Sequence, residues 1–362
     1  MRSILYYITG HGFGHAVRSN QVIRALKRAG ADLQIYVRTS APEWLFYHAD
    51  RPVLYTNQPI DVGLIQPNGL QMDLHTSLQA CQNLHGNSEH LVAQELRFIH
   101  ENKIELIVGD IPPLCFEIAA RAGIPSVAIT NFTWDVVYQA YAAEHAGFAP
   151  LVEEMTRFYG QASLALTLPY PCDMSMFPRR RAISWISRVS ELTRDQARTR
   201  YGLPPTGVVV LLSFGGLGLE ILPWRKLREL SDFYFVTTGS MQKSQDNLLV
   251  LADVQRSFED LLRCVDVIVT KPGYGIVADV LSHQLPILYT DRGEFPEYPR
   301  LVQALNDLAT AEYIPQNALL AGDLRGYLES ALTKPRHWPS VPLYGATTAA
   351  DEVLALLDDF RR

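Results

Sequence analysis

Short, almost wholly apolar runs alternate with amphipathic segments along this sequence, and they do so in two series. The first series comprises 4–9, 33–37, 53–55, 105–109, 126–130 and 164–168; the second comprises 208–213, 233–237, 248–251, 265–270, 286–289 and 311–314. Runs this short and apolar suit parallel strands that are covered on both faces. Segments between them, such as 91–102, 116–122 and 276–282, keep helical spacing. The alternation predicts α/β units built on parallel sheets. Between the two series, Pro169, Pro171, Pro178, Pro204 and Pro205 flank the basic run Arg179-Arg180-Arg181. Proline fixes φ and removes a donor, so this stretch reads as a connection between domains. The predicted layout is a doubly wound domain over 1–170, a connection over 171–206 with a short helix near 193–201, a second doubly wound domain over 207–345, and a helix over 346–362. A length of 362 residues accommodates two such cores. Two parallel sheets facing across a cleft place ligands at the carboxyl ends of their strands.

Several function classes are disfavoured at once. A hydrophobic content of 48% with 19% charged residues describes a globular chain. A formal charge of −6 argues against a general nucleic-acid binder. No apolar run approaches the roughly 20 residues that span a bilayer, and the first residues read as a strand rather than a signal peptide. The expected location is cytoplasmic, with peripheral contact to a membrane-bound acceptor left open. Cys81, Cys115, Cys172 and Cys264 are scattered, which predicts free buried thiols and no metal site. Oligomeric state is not legible.

The strand ends carry the chemistry. After the first strand, Gly10-His11-Gly12-Phe13-Gly14-His15 opens a helix that closes near Gly30. Strand, glycine turn and helix N-terminus gather backbone N–H groups around an anion. The two histidines add groups that titrate near neutrality, within reach of a reacting hydroxyl. The run Leu106-Ile107-Val108-Gly109 ends at Asp110, either a group facing the cleft or a helix N-cap. Asn131 and Trp134 end the next strand, either as an acceptor wall or as a packed corner with Trp134 in the core. In the second series, Ser213-Phe214-Gly215-Gly216 is a glycine turn that could be an ordinary connection. Lys271-Pro272-Gly273-Tyr274-Gly275 is sharper: a turn, a helix N-terminus and a cation together suit a diphosphate. Asp279 follows six residues after Gly273, placed for a ribose or for solvent. The polar loop 290–298, with Glu294 and Glu297, suits a hydroxyl-rich ligand or a charged surface.

These residues resemble nucleotide-sugar glycosyltransferases of the GT-B fold, such as plant UDP-glycosyltransferases and the bacterial peptidoglycan-precursor N-acetylglucosaminyltransferase. In those enzymes a Gly-His pair follows the first strand and its helix runs about fifteen residues to a glycine, which Gly14-His15 and Gly30 match. The phrases YYITGHGFGHAVRS, IQPNGLQMD, ITNFTWDVVY and KPGYGIVADVLS also resemble the glycosyltransferase-like N-terminal region of plant L-arabinokinases. The resemblance implies two Rossmann-like domains and inverting, metal-independent transfer from a nucleoside-diphosphate sugar, with UDP the expected nucleotide. It implies His15 as the base, Asp110 as its orienting partner, and Gly215, Gly216, Lys271, Gly273, Tyr274 and Gly275 at the diphosphate. It gives Asp279 the ribose and Glu294 and Glu297 the donor sugar; from the residues themselves, His11 is placed at the donor sugar or diphosphate or in a structural role in the turn, and Asn131 and Trp134 on the acceptor side. No cofactor is expected beyond the nucleotide-sugar co-substrate, and the acceptor is not named by any residue. Two other readings stand beside it: a nucleotide-sugar 2-epimerase of the same fold, and a nucleotide-sugar-binding regulator without turnover.

Overall fold

The computed structural model describes residues 2–30, 32–46, 52–68, 71–215, 222–238, 244, 246–251 and 257–360. Its strands, in chain order, are β1 (Arg2–Ile8), β2 (Leu33–Thr39), β3 (Leu54–Asn57), β4 (Ile65–Asn68), β5 (Gln71–Asp73), β6 (Leu106–Asp110), β7 (Ser126–Thr130), β8 (Leu164–Thr167) and β9 (Arg180–Ala182). They continue as β10 (Val208–Ser213), β11 (Phe233–Thr238), β12 (Leu248–Leu251), β13 (Val267–Thr270), β14 (Ile287–Tyr289) and β15 (Ala311–Tyr313). The helices are α1 (Phe13–Ala29), α2 (Leu74–Gly86), α3 (Ser88–Glu101), α4 (Leu114–Ala122), α5 (Trp134–Tyr141), α6 (Phe148–Tyr159) and α7 (Arg194–Arg200). They are followed by α8 (Trp224–Arg228), α9 (Phe258–Cys264), α10 (Tyr274–His283), α11 (Tyr298–Leu308), α12 (Gln316–Ala321), α13 (Arg325–Thr333) and α14 (Gly345–Asp359).

Two parallel sheets result, each Rossmann-like. The first has the order β3-β2-β1-β6-β7-β8-β9 and the second the order β12-β11-β10-β13-β14-β15. The order reverses beside β1 in the first sheet and beside β10 in the second, which opens a crevice at the carboxyl end of each. β1 shows why its sequence is so uniformly apolar. Ile4, Tyr6 and Ile8 pack into one core and Leu5 and Tyr7 into the other, so both faces of the sheet are covered by helices. The basic run in the connection is partly structured, since Arg180–Ala182 adds to the first sheet as an exposed edge strand. A charged strand at that position protects the edge from further pairing. All four cysteines are buried and free.

The C-terminal helix leaves the second half and packs on α1, its Ala349, Ala350, Val353 and Leu357 sharing a core with Ala16, Val22, Ile23 and Leu26. At its start a side chain on Gly345 would lie 2.1 Å from the Ser184 carbonyl oxygen, so only glycine lets the helix approach the connection this closely. No helix among the described residues is long and apolar enough to cross a membrane.

Candidate active site

β1 and β6 are neighbours with Ile8 opposite Asp110, and the Thr9 N–H donates to the Asp110 carbonyl at 2.8 Å. This register sets the aspartate beside the glycine turn. The turn is shorter than the sequence suggested: α1 begins at Phe13, with Gly12 as N-cap at φ 69°, a backbone state that favours glycine. His15 therefore lies in the first helical turn rather than in a loop. Its Nδ1 is 2.8 Å from Asp110 Oδ1, with both residues buried, so the expected pair is in hydrogen-bond contact.

Sequence reasoning missed the third member. Arg18 follows His15 by three positions on the same face of α1. Its Nε donates to Asp110 Oδ2 at 2.8 Å and its Nη2 to Oδ1 at 2.5 Å, while Ser19 Oγ donates to Oδ2 at 2.7 Å. Arg18 Nη2 also lies 3.0 Å from His15 Nδ1. Burial alone would favour a neutral Asp110, but the Arg18 guanidinium and then His15 outweigh it and hold the carboxyl well below the usual range. Burial, and next Arg18, push the His15 imidazole below its ordinary value. Assigned from its carboxylate partner, the neutral ring carries its proton on Nδ1 and leaves Nε2 as the acceptor.

The same guanidinium reaches the second half. Arg18 Nη1 donates to Asn131 Oδ1 at 2.7 Å, Asn131 Nδ2 donates to Glu297 Oε1 at 2.7 Å, and Arg292 Nη1 donates to Glu297 Oε2 at 2.5 Å. Beside this chain, Phe295 is buried in the N-terminal core, 5.4 Å from the Phe132 ring and stacked on His11 at 6.2 Å. Tyr141 donates its hydroxyl to the Glu294 carbonyl at 2.6 Å. Three expectations change here. Trp134 is 1% exposed, donates Nε1 to Asp61 at 2.9 Å and meets His11 edge-on at 5.2 Å, so it is a packed corner rather than an open wall. Asn131 is likewise enclosed, because its amide joins the two halves. The polar loop is no uniform hydroxyl-binding rim: Glu294 is exposed while Glu297 is buried by its ion pair. Phe295→Ala should lower unfolding stability by about 3–5 kcal/mol, read as a lower urea midpoint at unchanged slope; an unchanged midpoint would mean the ring contributes no core packing.

On the other side, β10, β13 and β14 are adjacent, with Ser213 opposite Thr270 and Thr270 opposite Tyr289. Gly215 is exposed at φ 80°, and Gly216 lies outside the described residues. Gly273 is the N-cap of α10, which has no side-chain cap bond and no acidic residue in its first turn; the same holds for α1. These two helix N-termini meet, since a Cβ on Gly275 would lie 3.9 Å from Gly14 Cα. Lys271 and Arg292 bring positive charge to the α10 side of the junction, Arg292 Nη1 lying 3.4 Å from the Pro272 carbonyl oxygen. Burial and then Arg292 lower Lys271 to about 8; burial, then Arg292, His15 and Lys271, lower His11 to about 3. The Tyr274 ring stacks on Trp185 at 5.1 Å, and the Arg18 guanidinium lies 5.3 Å from its centroid, so the ring packs against the cluster around Asp110. Asp279 is buried, with Oδ1 accepting the Arg188 N–H at 2.8 Å and Oδ2 accepting Arg188 Nε at 2.9 Å. A ribose at Asp279 therefore has to share it with Arg188. No group of three or more metal-ligating side chains gathers among the described residues.

Two Rossmann-like domains with facing strand ends define the GT-B fold. Residues 2–152 match the model of glycosyl transferase family 1. The chain is 30% identical over 338 residues to an L-arabinokinase of Arabidopsis thaliana, a match that covers 91% of this chain and 32% of that protein. It thus spans about a third of the length of that relative. Among solved structures it superimposes on the glycotransferase of kitacinnamycin with a TM-score of 0.63 at 16% identity, covering 99% of this chain and 94% of the other. It also superimposes on MnaA of S. aureus in a UDP co-structure, with a TM-score of 0.59 at 12% identity, covering 100% and 97%.

Proposed function

We propose that this protein is an inverting glycosyltransferase that moves a sugar from a nucleoside-diphosphate sugar, with UDP the nucleotide, to an acceptor hydroxyl. The observation that carries the reading is the meeting of two uncapped helix N-termini at Gly14 and Gly275, flanked by Lys271 and Arg292. Aligned N–H groups and cations there favour a diphosphate, which gains charge as it leaves. His15 Nε2 takes the proton of the attacking hydroxyl, and Asp110 holds the ring and stabilises its charged form. The acceptor oxygen attacks the anomeric carbon while the bond to the diphosphate breaks, and the sugar inverts. The family match of the N-terminal half and the UDP bound by a structural neighbour support the class of donor.

Calorimetry with nucleoside diphosphates and their sugars tests the donor site. Lys271→Ala should weaken UDP binding by about 10–100-fold, the worth of one charge-assisted contact. UDP affinity indifferent to Lys271 would sink the assignment. Products formed from the nucleotide sugar alone, without acceptor, would instead point to epimerisation. Asp279→Asn separates two roles of that carboxylate: a ribose contact lowers UDP affinity, whereas a purely structural pair with Arg188 costs about 1.5–3 kcal/mol of stability and leaves affinity unchanged.

A further inference from the structure

We infer that Arg18, Asn131 and Glu297 form a buried chain through which the docked C-terminal half sets the proton affinity of His15. The inference rests on His15 being the base. In a hydrolase triad the carboxylate alone faces the imidazole and favours its charged form. Here a cation shares that carboxylate: Arg18 and His15 both contact Asp110 Oδ1, and the guanidinium stands 3.0 Å from Nδ1. A proton arriving on His15 is attracted by Asp110 and repelled by Arg18. A third charge in the same enclosed region then tilts the balance, because little water is present to screen it.

Glu297 is that charge. It is 2% exposed, belongs to the loop after β14, and connects to Arg18 through Asn131 in two bonds of 2.7 Å. The groups facing His15 are Arg18 on its own helix, Asp110 from β6, His11 from the preceding turn and Glu297 from the opposite half. Arg292, in the same loop, is ion-paired with the far oxygen of Glu297 and also lowers Lys271 and His11. With the loop docked, Glu297 favours the imidazolium and counterbalances Arg18. With it undocked, Arg18 acts on His15 unopposed by that anion, and the base weakens. Proton abstraction is strongest when the half predicted to carry the donor is in place, which ties activation of the hydroxyl to the presence of the leaving group.

Histidine-selective NMR titration of the full chain tests this, with the His15 signal identified by its loss in His15→Gln. Arg18→Gln should raise the His15 midpoint by about one unit, and adding Glu297→Gln should lower it again by about half a unit to one unit. A role confined to packing moves neither midpoint in folded protein. The inference is overturned if Arg18→Gln does not raise the midpoint, or if the second substitution leaves it in place. Where Arg18→Gln does not fold, Glu297→Gln is read against the unaltered chain, and identical His15 signals across the pH series overturn the inference. The titration needs neither donor nor acceptor. Transfer lost in His15→Ala alongside immobile midpoints removes this inference alone; midpoints that move in a protein without transfer remove only the proposed reaction.

Discussion

His15→Ala is expected to lose about 10²–10⁴-fold in turnover, the range for removing a general base, which corresponds to about 2.7–5.5 kcal/mol of barrier. Affinity for the nucleoside diphosphate should stay unchanged. The expectation of a split comes from geometry: the imidazole is held against Asp110 at the end of β6, while Lys271 and the α10 N-terminus belong to the other sheet. Donor consumption measured beside UDP calorimetry reads both quantities. Turnover that survives the substitution removes His15 as base, and a matching loss of UDP affinity would make it a donor contact instead.

Asp110→Ala should be strongly destabilising. It strips Arg18 of a bidentate partner inside the protein, where Arg18 is 3% exposed and Asp110 is fully enclosed. Removing one member of a buried pair costs about 3–5 kcal/mol, because the other is left as an uncompensated charge. The pH dependence follows from the depressed carboxyl. A carboxyl held below its unfolded value of about 3.9 contributes its full stability above that value and loses it as pH falls toward the folded one. The stability gap between the unaltered chain and Asp110→Asn should therefore be constant above about pH 5 and shrink below about pH 4. Urea unfolding across that range measures it. A gap that widens on acidification would mean that Asp110 is not held ionised by Arg18.

Much of this was legible in the sequence. The apolar runs marked the strands of both sheets except β9, which lies in the basic run expected to be a connection, because parallel strands buried on two faces leave an unmixed apolar signal and an exposed edge strand does not. The contact between His15 and Asp110 was anticipated through the family resemblance, which named the two residues as partners. Arg18 was not, because an arginine on an amphipathic helix reads as a solvated face. Only the tertiary placement of Asp110 and Asn131 shows that it is enclosed. Phe295 was invisible for a similar reason: an aromatic in a polar loop gives no hint that its core belongs to the other half of the chain. Trp134 and Asn131 could each have been wall or core, and burial decided the matter where residue type did not.

The packing of α14 on α1 has a consequence for biogenesis. The helix that carries His15 and Arg18 is made early, yet α14, which packs on it, is separated from it by everything between Gly30 and Tyr344. At ribosomal speeds that delay is on the order of tens of seconds. Throughout that interval the N-terminal half exposes an apolar helix face that a chaperone, or another nascent chain, can reach. A fragment ending after the first sheet keeps that face permanently, so it should be sticky rather than independently soluble.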